Sequence, residues 1–141
     1  MLRLRRDLLD AVVAHAEADH PDEACGVLPG PAGSDEPTRH VPMENAERSP
    51  TFYRFDSAEQ LRVWTEMDDR DEVPVVIYHS HTATAAAPSR TDVGLASEPD
   101  AHYLLYSTAE DDGALEDRPR LRSFRIADGV VTEEDVEVVD A

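Results

Sequence analysis

The sequence predicts an α/β (α+β) domain, and three observations carry the prediction. Apolar residues recur at helical spacing near the start of the chain. A continuous β-branched run in the middle has the form of a buried strand. The 141 residues contain no evident interdomain linker, so a single domain spanning 1–141 with one sizeable core accounts for the whole chain.

The elements follow in order. Arg5 to Asp19 reads as a helix burying Leu8, Leu9, Val12, Val13 and Ala16, with His15 near its margin. Glu23 to Leu28 and Arg39 to Met43 read as strands, separated by a Pro/Gly-rich turn segment from Pro29 to Pro37. Asp56 or Ser57 starts a second helix running to about Met67, with Asp56-x-x-Glu59 as its capping box. Val73 to Tyr78 is the buried strand. Ser89-Arg90-Thr91-Asp92 has the form of a helix start, and His102 to Ser107 and Leu121 to Ile126 are strand-like. Asp128-Gly129 then reads as a hairpin turn into Val130 to Val139. No internal repeat is present, and Ala83 to Ala87 is the one low-complexity stretch.

Composition narrows the function. Thirteen arginines and no lysine face 31 acidic residues, a formal charge of −18. Phosphate binding needs a basic surface, so nucleic acid is excluded as a partner, and a protein partner would dock through a locally basic patch. One cysteine rules out an internal disulfide and fits a reducing compartment. Cys25 has two readings, a nucleophile or a small buried strand residue beside Gly26, and the second is favoured. Met1 to Arg6 is basic but leads into an acidic amphipathic helix, so it reads as neither a signal peptide nor a membrane span. The expected location is the cytoplasm, with no membrane contact. The oligomeric state is not legible in the sequence.

The chemistry concentrates in His79-Ser80-His81, followed by Ser89 and Asp92. Residues two apart in a strand share a face, so His79 and His81 project together from the end of the Val73 strand while Ser80 points away. Asp92 returns on the next helix. A catalytic zinc needs three protein ligands and an open fourth position, and this segment offers two imidazoles and a carboxylate. Each half has a plainer reading: Ser-x-x-Asp is also a capping pattern, and His-x-His pairs often bind nothing. Capping and ligation can coexist, with Ser89 capping while Asp92 binds. A zinc hydrolase also needs a general base, and Glu23 is the candidate, where a helix ends and a short apolar strand begins.

Glu23 ahead of Cys25-Gly26-Val27-Leu28, followed by His79-x-His81-x7-Ser89-x2-Asp92, resembles the JAMM (MPN+) zinc metalloprotease family across nearly the whole chain. All five motif positions are filled. The resemblance implies a single MPN/JAMM-type domain, a curved mixed β-sheet packed by helices with a cytidine-deaminase-like architecture. It makes His79, His81 and Asp92 the ligands of one Zn2+ per chain, Glu23 the acid/base and Ser89 the oxyanion stabiliser. One departure is visible: many members carry Pro after the second histidine, where this chain has Thr82, which puts the shape of that loop in doubt.

Within the family the chain is similar to small bacterial peptidases of the Mec type. That likeness rests on Asp19 to Val27, on Asn45-Ala46 through Ser49 to Tyr53, and on Tyr78 to Thr82. It implies hydrolysis of the amide between the C-terminal glycine of a ubiquitin-like sulfur-carrier protein, ending in Gly-Gly, and an attached cysteine. Two alternatives stand beside it: an isopeptidase releasing a ubiquitin-like modifier from protein lysines, and a noncatalytic scaffold of the same fold. Zinc deaminases use a Cys-x-x-Cys pair, which a single cysteine excludes.

The remaining candidates are weaker. His15, His20, His40 and His102 lack ligand spacing and are expected at the surface or at caps. Asn45, Ser49 and Tyr53 have two readings, substrate contact or an ordered loop entering the second helix. Ala83 to Ala87 is either an ordinary loop or a mobile active-site flap, and its place between the ligands favours the flap.

Overall fold

A computed structural model describes residues 1–110 and 119–140. Its centre is a six-stranded mixed sheet in the order β3-β2-β4-β5-β6-β7. The strands are β2 (Cys25–Pro31), β3 (Val41–Met43), β4 (Glu72–His81), β5 (His102–Ser107), β6 (Leu121–Ala127) and β7 (Val130–Glu134). Only β4 and β5 run parallel; the other neighbours are antiparallel. A second sheet pairs β1 (Leu2–Arg5) with β8 (Val136–Val139) in parallel.

Alternation along β4 divides the molecule into two layers. Val76 and Tyr78 point to one face and pack with Leu8 and Val12 of α1 (Arg6–Asp19) and with Leu2, Leu4, Leu28 and Leu104. Ile77 points to the other, with Val27, Tyr103, Leu105, Phe124 and the buried residues Val63 and Met67 of α2 (Ser57–Asp69). His79 and His81 share the parity of Ile77, so they open on the α2 side. The Tyr78 ring lies on Gly26, its register partner on β2, and its hydroxyl reaches His15 Nδ1 at 2.6 Å and His40 Nε2 at 2.7 Å.

Several expectations change. The first helix starts at Arg6 and fully buries only Leu8, Val12 and Ala16, leaving Leu9 and Val13 half-buried. The residues ahead of it are a strand: Leu2 and Leu4 are buried while Arg3 and Arg5 face outward, an alternation that the basic charge of the segment obscured. β2 begins at Cys25 and runs through Pro29-Gly30-Pro31, which the sequence assigned to a turn. The prolines are tolerated because β3 pairs only with Cys25 to Val27, leaving that edge of β2 open beyond, and the register shifts between Leu28 and Pro29. β4 includes both histidines. The single strand expected from Val130 to Val139 breaks at Asp135, whose carbonyl accepts from Leu2 N–H, so its second half leaves the main sheet for β1. At α2, Asp56 accepts from the Glu59 N–H as predicted, but the Glu59 carboxylate accepts from the Glu44 N–H instead of completing the box.

Candidate metal centre and active site

The end of β4 and the start of α3 (Arg90–Leu95) bring three ligand atoms together. His79 Nε2 and His81 Nε2 are 3.2 Å apart, and Asp92 Oδ2 lies 3.2 Å from the first and 3.1 Å from the second. Ligand atoms bound tetrahedrally at zinc distances are about 3.3–3.5 Å apart, so this near-equilateral triangle matches one face of such a tetrahedron.

The donor chemistry fits a cation as well. His81 Nδ1 faces the Ala85 carbonyl at 2.9 Å, a pure acceptor, so that nitrogen carries the hydrogen and Nε2 turns its lone pair to the triangle. Burial lowers the His79 pKa and keeps that ring neutral, despite the opposing pull of Asp92. Burial works against the Asp92 charge too, but the two histidines outweigh it and hold the carboxyl well below its usual range. Two imidazole nitrogens and an anionic oxygen thus converge, a set that a divalent metal satisfies. Among the described residues His79 Nδ1 is the buried side-chain polar atom with no hydrogen-bond partner. The ring is oriented by stacking: Tyr53 lies against it at 4.3 Å between centroids and 23° between planes.

Glu23 precedes β2 and is buried on the same side of the sheet. Its carboxylate and the two histidines present ligand atoms that all lie within 4.8 Å of one another. That group overlaps the His79/His81/Asp92 triangle. The His79/His81/Asp92 triangle is the tighter of the two, with every separation at 3.1–3.2 Å. Burial lifts the Glu23 pKa to about 7, with His81 opposing and Asp92 adding to the rise. A carboxyl near neutrality both accepts and returns a proton at working pH.

The Glu23 backbone is held from both ends by the following loop. Its N–H donates to the Ser49 carbonyl at 2.8 Å, and its carbonyl accepts from Asn45 Nδ2 at 3.0 Å. Buried Asn45 also donates to the Phe52 carbonyl and accepts from the Glu47 and Arg54 N–H groups, so one amide pins the whole turn. These bonds order the loop from Asn45 to Phe52, and Tyr53 at its end orients His79. The stretch that carried the subfamily likeness contained the signal.

Ser89 is the N-cap of α3. Its Oγ accepts from the Asp92 N–H at 3.0 Å, and Asp92 Oδ2 accepts from the Ser89 N–H at 2.8 Å, a complete capping box. The cap is present, and the geometry is compatible with ligation as well, because the same Asp92 oxygen that caps the helix faces the histidines. Ser89 uses a lone pair for the cap and keeps its hydroxyl hydrogen for another acceptor.

The Ala83 to Ala87 segment is no detached flap. Ala86 is fully buried, Ala85 orients His81, and the Thr84 carbonyl accepts from Ser107 Oγ at 2.7 Å. Thr82, in the place where proline was the family expectation, donates from Oγ1 to the Pro50 carbonyl at 2.8 Å and ties the two loops around the site together. His102 is not at the surface: it is 1% exposed and bonded to Glu134 at 2.6 Å and Asp35 at 3.0 Å. His15 and His40 hold Tyr78, and His20 bonds Thr108 Oγ1. Cys25 is fully buried, and burial pushes its thiol up to about 12, which leaves it a packing residue.

Comparison with known proteins agrees with this geometry. The family model described as prokaryotic homologs of the JAB domain matches residues 5–127. The chain is 68% identical over 140 residues to the CysO-cysteine peptidase of Mycobacterium tuberculosis, covering 99% of this chain and 92% of the relative. It is 32% identical over 111 residues to the desampylase of Haloferax volcanii, covering 75% and 80% of the two chains. A solution structure of a Desulfitobacterium hafniense protein superposes with a TM-score of 0.83 at 34% identity, covering 100% of this chain and 94% of the other. The chain therefore belongs to the prokaryotic JAB (JAMM/MPN) family, and it is a hydrolase of the JAMM type.

Proposed function

We propose that the protein is a zinc-dependent peptidase that cleaves the amide between the terminal glycine of a ubiquitin-like sulfur carrier, ending in Gly-Gly, and an attached cysteine. The observation that carries the reading is the 3.1–3.2 Å triangle of His79, His81 and Asp92 facing Glu23. The 68% identity to a CysO-cysteine peptidase supports the choice of substrate. No helix among the described residues is long and apolar enough to cross a membrane, and a cytoplasmic single-domain enzyme fits the reading.

Zinc held by His79, His81 and Asp92 would supply Lewis acidity toward the attacking water and the scissile carbonyl. Glu23 takes the proton of that water as it attacks the glycine carbonyl carbon. Ser89 donates its free hydroxyl hydrogen to the developing oxyanion. When the C–N bond breaks, Glu23 returns its proton to the departing cysteine amine, so water is consumed and the carrier regains a free C-terminal carboxylate. Tyr53, Asn45 and Thr82 hold these groups in place and do not touch the reacting atoms.

The test is the intact mass of a cysteine-terminated carrier incubated with zinc-loaded wild type or with Glu23→Ala. Loss of one cysteine with wild type alone is the expected result. An intact adduct in both reactions, at one zinc per chain, removes the reading. Similarity to a desampylase favours a second activity, release of a modifier from a lysine ε-amine, and a lysine-linked adduct in the same assay measures it.

A further inference from the structure

Beside the metal centre lies a cavity of about 170 Å³ that the chemistry above does not use. Its apolar walls are Tyr53, Phe55, Trp64, Ile77, Leu95 and Tyr103, and Arg54, Gln60, Ser97 and Glu98 add polar groups to the lining. Tyr53 is shared with the centre, since its ring stacks on His79, so one aromatic ring separates the cavity from a metal ligand. The far wall is braced: Trp64 Nε1 donates to Glu98 at 3.3 Å, and the Glu98 N–H donates to Tyr103 Oη at 3.0 Å. Leu95, at the rim, is 57% exposed. The volume is below that of ordinary small-molecule sites and equals about six waters, which suits one side chain.

The topology says which half of the substrate passes this way. Glu23, which must reach the leaving amine, lies on the β2 flank of the histidines, just ahead of Cys25, the register partner of His79. The cavity lies over the opposite flank, where Ile77 pairs with Tyr103 of β5. With the amine directed toward β2, the acyl side of the scissile bond runs toward β5. Ile77 is two residues before His79, about 7 Å along the strand, which two extended residues span. Alternation then returns the third residue's side chain to the face of the first.

We infer that this cavity is a specificity pocket for one aliphatic side chain of the carrier tail, that of the residue immediately before the terminal Gly-Gly. The inference rests on the peptidase reading for the direction of the substrate. Two glycines cross the narrow stretch past Tyr53, and a Leu, Ile or Met side chain packs against the aromatic and aliphatic walls of the cavity. Burying such a side chain in place of Ala gains about 10- to 100-fold in affinity.

Octapeptides ending X-Gly-Gly-Cys, with X as Leu, Ile, Met, Ala or Asp, test it in two assays. Cleavage is followed by mass spectrometry with the zinc-loaded protein, and binding by fluorescence anisotropy with the metal-free protein. The aliphatic peptides should exceed Ala by about 10- to 100-fold in both kcat/KM and affinity, with Asp weakest. Leu95→Arg, an exposed change, should narrow the gap between Leu and Asp while zinc content and thermal stability hold. Equal rates and equal binding for every X would overturn the pocket and leave the peptidase reading standing. X-dependent binding without cleavage of any peptide would uphold the pocket and remove the cysteine-peptidase reading. Neither cleavage nor X-dependent binding would reject both.

Discussion

Glu23 is held where its charge is costly, and replacing it by glutamine should make the metal-free protein more stable at alkaline pH. Its carboxyl titrates at about 7 in the folded chain against an ordinary 4.5, with burial as the main cause. Below pH 4.5 the group is protonated in both folded and unfolded chains and has no effect on stability. Between 4.5 and 7 the unfolded chain releases a proton that the folded chain retains, so stability falls as pH rises and stays lower above 7. The full difference corresponds to about 3 kcal/mol, and partial solvation of the site reduces it to about 1–2 kcal/mol. Glu23→Gln keeps the shape and removes the ionisation. In chelator at pH 8 the variant should melt about 3–8 °C above wild type, and at pH 4.5 the two should coincide. The assay is a pair of thermal melts at each pH, read by circular dichroism. Equal melting at pH 8, or a difference that does not shrink toward pH 4.5, would refute a buried, charge-averse Glu23. The variant should also have lost peptidase activity, the stability–activity exchange expected of a catalytic group.

Three further perturbations have definite outcomes. A Cβ on Gly26 would meet Tyr78 Cζ at 2.5 Å and Cε1 at 2.6 Å, so Gly26→Ala must displace a buried ring held by two histidines and should cost about 2–4 kcal/mol in calorimetry; a cost under 1 kcal/mol would show that the ring moves freely. Ser89→Ala removes the side-chain cap of α3 together with the hydroxyl proposed as oxyanion donor, so zinc should bind more weakly and kcat at saturating zinc should fall about 100- to 1000-fold; a fall under tenfold would remove Ser89 from the chemistry. His102→Ala leaves Glu134, whose pKa is drawn down to about 2 by its histidine and Ser123 bonds against the effect of burial, without its main partner, and should cost about 3 kcal/mol in urea unfolding at pH 7. Because a depressed carboxyl stabilises only while ionised, the part of that difference due to Glu134 should fade as the pH falls toward 2, leaving the cost of the space vacated by the buried imidazole.

The helices and central strands were legible because their signals are local and periodic. β5 was read residue for residue, and the Asp128-Gly129 turn appears with both φ values positive. The elements that were misread depend on partners distant in sequence. β1 and β8 exist through each other, across more than 130 residues, and neither half shows more than four alternating positions. The convergence of His79, His81 and Asp92 was legible as a spacing of side chains able to bind metal. Their support was not: nothing in Asn45 itself announces that its amide holds the carbonyl of Glu23, and Thr82 reads as a loop residue until Pro50 is seen above it. His102 had no signal either, since the two carboxylates that justify its burial lie 67 and 32 residues away.

Asp92 couples the site's occupancy to the existence of α3. Six residues make a helix too short to nucleate unaided in water, and the oxygen of its third residue, Asp92, that accepts from the Ser89 N–H is also the one facing both histidines, where the proposed metal would sit. A cation bound there and the Ser89 amide would share the lone pairs of that one oxygen. On the proposed ligand set, metal affinity and helix formation draw on a common free energy, and Ser89, the proposed oxyanion donor, stands at the residue where they meet. Preorganisation is then conditional: the hydroxyl proposed to stabilise the transition state is in register only while the helix it caps is intact.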